Sequence, residues 1–189
     1  MLKFLYNFLL NYFYFPIYNK LIKKQKNAKL LIIGLDNSGK TSLLYYLKYK
    51  KIKNNLEPTR HPSSEEFIFN NINYKAFDLG GHKLARILWK NYLHNIDIVI
   101  FVVDSTDHER IYEVKNELSN IIDIKNKNRL KIPILILGNK IDLQTSINYE
   151  NLKYVLDFEK YNTDITLIMC SITKNININQ GFHWISQFI

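Results

Sequence analysis

Cysteine is almost missing from this chain: Cys170 is the only one among 189 residues. An intramolecular disulfide is therefore impossible, and neither a zinc cluster nor a disulfide-stapled secreted scaffold can be built. The expected setting is reducing and cytosolic. Acidic residues are absent from positions 1–29, which carry six lysines beside the most apolar stretch of the chain. A membrane span needs roughly twenty apolar residues, and this stretch, MLKFLYNFLLNYFYF, has fifteen before Pro16, broken by Lys3, Asn7 and Asn11. Small residues for a signal-peptide cleavage site are lacking as well. Internal repeats, long linkers and nucleic-acid reader motifs are also absent. The formal charge of +9 is thus read as a solvated basic surface or an attraction to anionic membrane, with no nucleic acid as partner.

A hydrophobic fraction of 47% over this length suits one full core. Apolar runs at Leu30–Ile33, Phe67–Phe69, Tyr74–Phe77, Ile98–Val103, Ile134–Leu137 and Leu167–Met169 alternate with segments of helical character after Gly39, Gly81, Asp107, Asn148 and Gln180. Such alternation predicts an α/β fold with a six-stranded, mostly parallel sheet and helices on both faces. The short turn between the second and third runs predicts an antiparallel hairpin at one edge. At the N-terminus, Lys3, Asn7 and Asn11 are spaced by four, so a helix would align them as a polar stripe opposite Leu2, Leu5, Leu9 and Phe13. Residues 1–24 are therefore expected to form an amphipathic membrane-binding segment, with lysines for anionic headgroups, ahead of a single domain at 25–189.

Loops at the carboxyl ends of parallel strands are where such sheets bind ligands, and three motifs fall there. Gly34-Leu35-Asp36-Asn37-Ser38-Gly39-Lys40-Thr41 follows the first run and satisfies the phosphate-loop pattern. Its backbone N–H groups would wrap phosphates, Lys40 would reach the β and γ groups, and the Thr41 hydroxyl would bind Mg²⁺. Gly138-Asn139-Lys140-Ile141-Asp142 ends the fifth run. The Asp142 carboxylate can accept from guanine N1–H and the 2-amino group, Asn139 would tie loops around the base, and the Lys140 stem would cover its face. Asp78-Leu79-Gly80-Gly81-His82 ends the third. There Asp78 can hold Mg²⁺ through water, the Gly81 N–H can meet the γ-phosphate, and His82 stands where a group should position the attacking water. The cofactors implied are GTP or GDP and Mg²⁺.

These residues resemble the Sar/Arf branch of the Ras-like small GTPases, and within it the Sar type that initiates the COPII coat. GLDNSGKT is similar to the family form with Ser38 in place of Ala, Pro58–Glu66 resembles the Sar switch I, and DLGGH carries His82 where Arf proteins have Gln. Leu88–Tyr92, Met169–Ile172 and the ending Phe182–Ile189 also look Sar-like. The resemblance implies that Thr59 joins Thr41 on Mg²⁺, and that Ser171 and Ile172 contact the base. With Asp36, Asn37 and Ser42 from the phosphate loop added to the nucleotide set, and Asp36 to the metal set, the candidate site is complete. Further implications are activator-dependent GTP hydrolysis, COPII inner-coat subunits as partners including one that supplies an arginine in trans, and an exchange factor of the endoplasmic reticulum membrane. The location would be its cytosolic face, with the Golgi as the alternative. The N-terminal helix would be held back with GDP and released with GTP, without a lipid, since Leu2 replaces the myristoylated Gly and a C-a-a-X box is lacking. The chain departs from the type in a short Leu156–Ile168 segment and in Arg60, a potential cis arginine. Rival readings are an Arf-like GTPase of another trafficking step and a nucleotide-locked membrane scaffold with little turnover.

Overall fold

The run Ile98–Val103 is apolar at every position because the strand it forms lies inside the sheet, covered on both faces. In the computed structural model, β4 (Ile98–Asp104) is buried throughout, as is β5 (Ile134–Asn139). Described are Tyr12, residues 26–53, Thr59, residues 61–161 and residues 164–189. The expected membrane-binding segment 1–24, Tyr12 apart, and Arg60 lie outside the described residues.

The remaining strands are β1 (Lys26–Ile33), β2 (Ser63–Phe69), β3 (Ile72–Asp78) and β6 (Ile165–Met169). They complete a six-stranded sheet of order β2-β3-β1-β4-β5-β6, as expected from the sequence. All neighbours are parallel except β2 and β3, the predicted edge hairpin, which pairs Ser63 with Asp78 and Phe69 with Ile72. Asn70 and Asn71 make its two-residue turn at φ 50° and 62°, the left-handed conformation that Asn tolerates and that matches strand twist.

Helices α1 (Lys40–Tyr49) and α6 (Ile178–Ile185) cover one face of the sheet, while α4 (Ile111–Lys127) and α5 (Tyr149–Val155) cover the other. Two four-residue helices, α2 (Lys83–Arg86) and α3 (Trp89–Tyr92), occupy the segment after Gly81. Leu43 and Leu47, four apart on α1, are completely buried with Phe182 and Ile185 of α6. On α4, Val114, Leu118, Ile121 and Ile122 form the corresponding stripe. Each such side chain contributes about 1.5–3 kcal/mol of hydrophobic stabilisation.

Several boundaries differ from the sequence expectation for local reasons. β1 begins four residues earlier, at Lys26, and β2 begins at Ser63, because the polar Ser63–Glu66 half pairs with β3 at the sheet edge, where one face meets water. α4 starts at Ile111 instead of after Asp107, since the Asp107 carboxylate accepts the Arg110 N–H and holds residues 107–110 in a turn. α6 starts three residues earlier than expected, behind Asn177 at φ 61°. No helix among the described residues is long and apolar enough to cross a membrane.

Candidate functional site

The carboxyl ends of β1, β3, β5 and β6 open onto a cleft of about 570 Å³, lined by residues from all three motifs. Its floor is the loop from β1 to α1. Gly34 (φ 140°) and Gly39 (φ 105°) need the left-handed region. A Cβ on Gly34 would also run into the Val102 main-chain oxygen, and one on Gly39 into the Asn139 amide. Lys40 lies almost fully buried at the start of α1, with Nζ donating to the Leu35 carbonyl at 2.8 Å. Burial pulls its pKa down to about 8, against the pull of Asp78 and Asp36 in the other direction. Ser38 Oγ is buried with no hydrogen-bond partner among the described residues.

Beside Lys40, three oxygen-bearing side chains from three separate elements converge. Thr41 Oγ1 lies 2.7 Å from Thr59 Oγ1 and donates to Asp78 Oδ2 at 2.9 Å, while Thr59 Oγ1 reaches the same carboxylate oxygen at 3.3 Å. Asp78 Oδ1 is buried without a partner among the described residues. Burial raises the Asp78 pKa, opposed by the Thr41 hydrogen bond, Lys40 and Thr59. Hydroxyls and a carboxylate are hard oxygen donors, and an orphaned buried oxygen beside them asks for a cation; the set fits Mg²⁺. Asp36, also expected at the metal, places its carboxylate 2.8 Å from Arg110 Nη1 instead. Asn37 and Ser42 line the cleft as expected.

At the far end, Asn139 joins three loops. Its Nδ2 donates to the Ser38 main-chain oxygen at 2.9 Å and its Oδ1 accepts the Ile172 N–H at 3.1 Å. Cys170 Sγ lies 4.0 Å from that oxygen, fully buried, and burial pushes its thiol up to about 12. Asp142 is exposed at the rim with its Oδ1 accepting from Ser171 Oγ at 2.6 Å, the contact that chiefly holds its pKa below the ordinary carboxylate value. Lys140, at φ 73°, sets its Nζ 2.5 Å from Asp104 Oδ2. The residues missed from sequence are Thr173 and Leu143, which line the cleft, Asp104, which holds Lys140, and Arg110, which holds Asp36. Asp104 left a signal, a carboxylate closing six apolar residues; the other three left none.

Gly80 and Gly81 form the third wall. A Cβ on Gly81 would collide with the backbone of Gly34, Leu35 and Asp36, so only glycine lets this segment lie against the phosphate loop. Trp89 Nε1 donates to the Gly80 carbonyl at 3.2 Å, and Arg86 Nε to the Gly81 carbonyl at 2.7 Å. The Arg86 guanidinium is in turn paired with Glu113 and Glu117 of α4. His82 caps α2: its Nδ1 accepts the Ala85 N–H at 3.3 Å, which assigns the proton of the neutral ring to Nε2. Its ring lines the cleft and is exposed to solvent.

The chain is similar to known proteins along most of its length. Residues 15–189 match the ADP-ribosylation factor family. The chain is 34% identical over 177 residues to the small COPII coat GTPase SAR1 of Giardia intestinalis, covering 87% of this chain and 91% of that one. It is also 34% identical over 169 residues to ADP-ribosylation factor K of Dictyostelium discoideum, covering 88% of each. Among solved structures, the Arl6 BBS3 small GTPase from Trypanosoma brucei with bound nucleotide analogue GppNp aligns with a TM-score of 0.77 and 31% identity, over 86% of this chain and 96% of that one.

Proposed function

The chain belongs to the ADP-ribosylation factor family of small GTPases and hydrolyses GTP, and we propose that it is a Sar-type switch that starts COPII coat assembly on the cytosolic face of the endoplasmic reticulum. The observation that carries the Sar reading is His82, at the mouth of the cleft where the Arf type has Gln. The similarity to SAR1 supports it.

In this reading GTP lies along the cleft with its phosphates on the loop from Gly34 to Thr41 and its base between Asn139, Lys140, Asp142, Ser171 and Ile172. Thr41, Thr59 and Asp78 would hold Mg²⁺, which when bound would supply positive charge against the phosphates. Lys40 releases the Leu35 carbonyl and turns its ammonium to the same oxygens. The His82 ring, fixed through Nδ1, offers its Nε2–H to a water and aims that water at the γ-phosphorus. Attack forms a new P–O bond as the bridging bond to the β-phosphate breaks, and the water proton passes to a phosphate oxygen. GDP leaves with the bridging oxygen. His82 thus acts by positioning the water and takes no proton itself. An arginine supplied by a coat subunit completes the charge balance.

Single-turnover hydrolysis with and without the activating coat subunit, for the native chain and His82→Leu, tests this. The activator should accelerate only the native chain, with GDP affinity equal in both. If the native chain is no faster than the variant even with the activator, the protein is a nucleotide-locked scaffold. If an Arf activator works where the coat subunit does not, the trafficking step is a different one.

A further inference from the structure

The +9 charge has an address. The five parallel strands start at the end of the sheet opposite the nucleotide cleft, and α1 and α4 run back to that end. α1 finishes there in Lys48-Tyr49-Lys50-Lys51-Ile52-Lys53, and α4 in Lys127-Asn128-Arg129-Leu130-Lys131. Because α1 and α4 lie on opposite faces of the sheet, the two basic segments flank its end on both sides. Lys50 Nζ, 3.4 Å from the centre of the Phe69 ring, fixes the first segment beside the turn of the hairpin. Among the described residues, Asp97 is the one acidic residue in the loops at this end that has no basic side-chain partner, and its carboxylate is taken by the Lys29 N–H.

Lys51, Lys127, Arg129 and Lys131 are exposed and meet no acidic side chain among the described residues. Tyr49 and Ile52 stand exposed among them at 50% and 48%. In the loops around the cleft the charges are instead paired, Asp36 and Asp107 with Arg110 and Asp104 with Lys140. Uncompensated cations spread over a broad end, with an aromatic and an aliphatic side chain between them, suit a flat anionic surface with an apolar layer beneath it. β1 begins at this same end with Lys26, so residues 1–25 join the domain there.

We propose that this end of the sheet is a docking face for anionic phospholipid, separate in sequence from residues 1–24. It holds the domain upright with the nucleotide cleft turned away from the bilayer. The orientation rests on reading residues 1–24 as membrane-binding; the charge-dependent contact does not.

The test is flotation of the full chain, loaded with a non-hydrolysable GTP analogue, on vesicles of phosphatidylcholine alone or with phosphatidylserine, at low and high salt. It compares the native chain with Lys51→Gln/Lys53→Gln/Lys127→Gln/Lys131→Gln and with Leu5→Asp/Leu9→Asp. Juxtamembrane cations act at about fivefold in affinity each at low salt. The lysine variant should therefore lose about tenfold or more of the phosphatidylserine-dependent binding while keeping the binding to phosphatidylcholine and an unchanged GDP affinity, which reports its fold. Retention of the full phosphatidylserine increment by the lysine variant overturns the docking face. So does a loss confined to single-stranded RNA binding, which would make the face a nucleic-acid site. Native binding by the Leu5/Leu9 variant overturns the N-terminal reading alone, and failure of the native chain to float on either vesicle overturns both.

Discussion

Asn139 donates to the main-chain oxygen of Ser38 across 101 residues of sequence, and accepts from the Ile172 N–H with its other amide atom. One side chain therefore sets the spacing between the phosphate loop and both base-side loops. Replacing it by alanine strands a buried carbonyl and a buried N–H, each costing about 1–3 kcal/mol. Asn139→Ala should weaken GDP binding by about tenfold or more, measured by titration with a fluorescent GDP.

The second prediction concerns base choice. Asp142 presents an acceptor pair at the cleft rim, steadied by Ser171 and Thr173. In Asp142→Asn one oxygen becomes an NH₂ donor facing the donors of guanine. Affinity for GDP should fall, and affinity for xanthosine diphosphate, which carries a carbonyl in place of the 2-amino group, should rise. Parallel titrations of both nucleotides check the inversion, and equal loss of both would remove Asp142 from base reading.

Lys40 makes the site pH-dependent. Its ammonium has a pKa of about 8 in the free protein against an ordinary 10.5, lowered by burial. Phosphates would raise it again, so binding takes up a proton above pH 8 and GDP affinity should fall as pH rises through 8 to 9.5. Stability of the nucleotide-free protein runs the other way. Between about pH 8 and 10.5 the unfolded chain holds more protons at this position than the folded one, so stability rises with pH across that window. Lys40→Met should flatten both profiles, read by GDP titration and by thermal melting.

Arg86 is the fourth target. It holds the Gly81 carbonyl and two α4 carboxylates with one nearly buried guanidinium. Arg86→Ala should lower stability by about 2–4 kcal/mol, as removal of one partner from a buried ionic cluster does, and should speed amide exchange at Gly80–Ala85 more than elsewhere. Uniform exchange across the domain would show that Arg86 stabilises the fold without restraining that segment.

The buried strands and the three motifs were legible because each is local: an apolar run reveals a strand covered on both faces, and the spacing of Gly39, Lys40 and Thr41 is fixed within one turn. The polar halves of β1 and β2 were not, since their pairing partners lie elsewhere in the chain. The segment Lys83–Tyr92 reads as one helix, yet it forms two short ones. Arg86 and Trp89 from this segment each reach back to a glycine carbonyl. The grip of Arg110 on Asp36 spans 74 residues, and no periodicity encodes such a pair.

Cys170 is the chain's single thiol, sealed beside Asn139 and poorly ionised. Thiol reagents that require an accessible thiolate will pass the native protein by. Any one cysteine introduced at an exposed position therefore becomes a unique attachment point for a dye or spin label. Single labels placed in turn at Lys51 and at the cleft rim, each measured against a dye in the bilayer, turn the orientation of the domain on a vesicle into two distances that can be read without first removing a native residue.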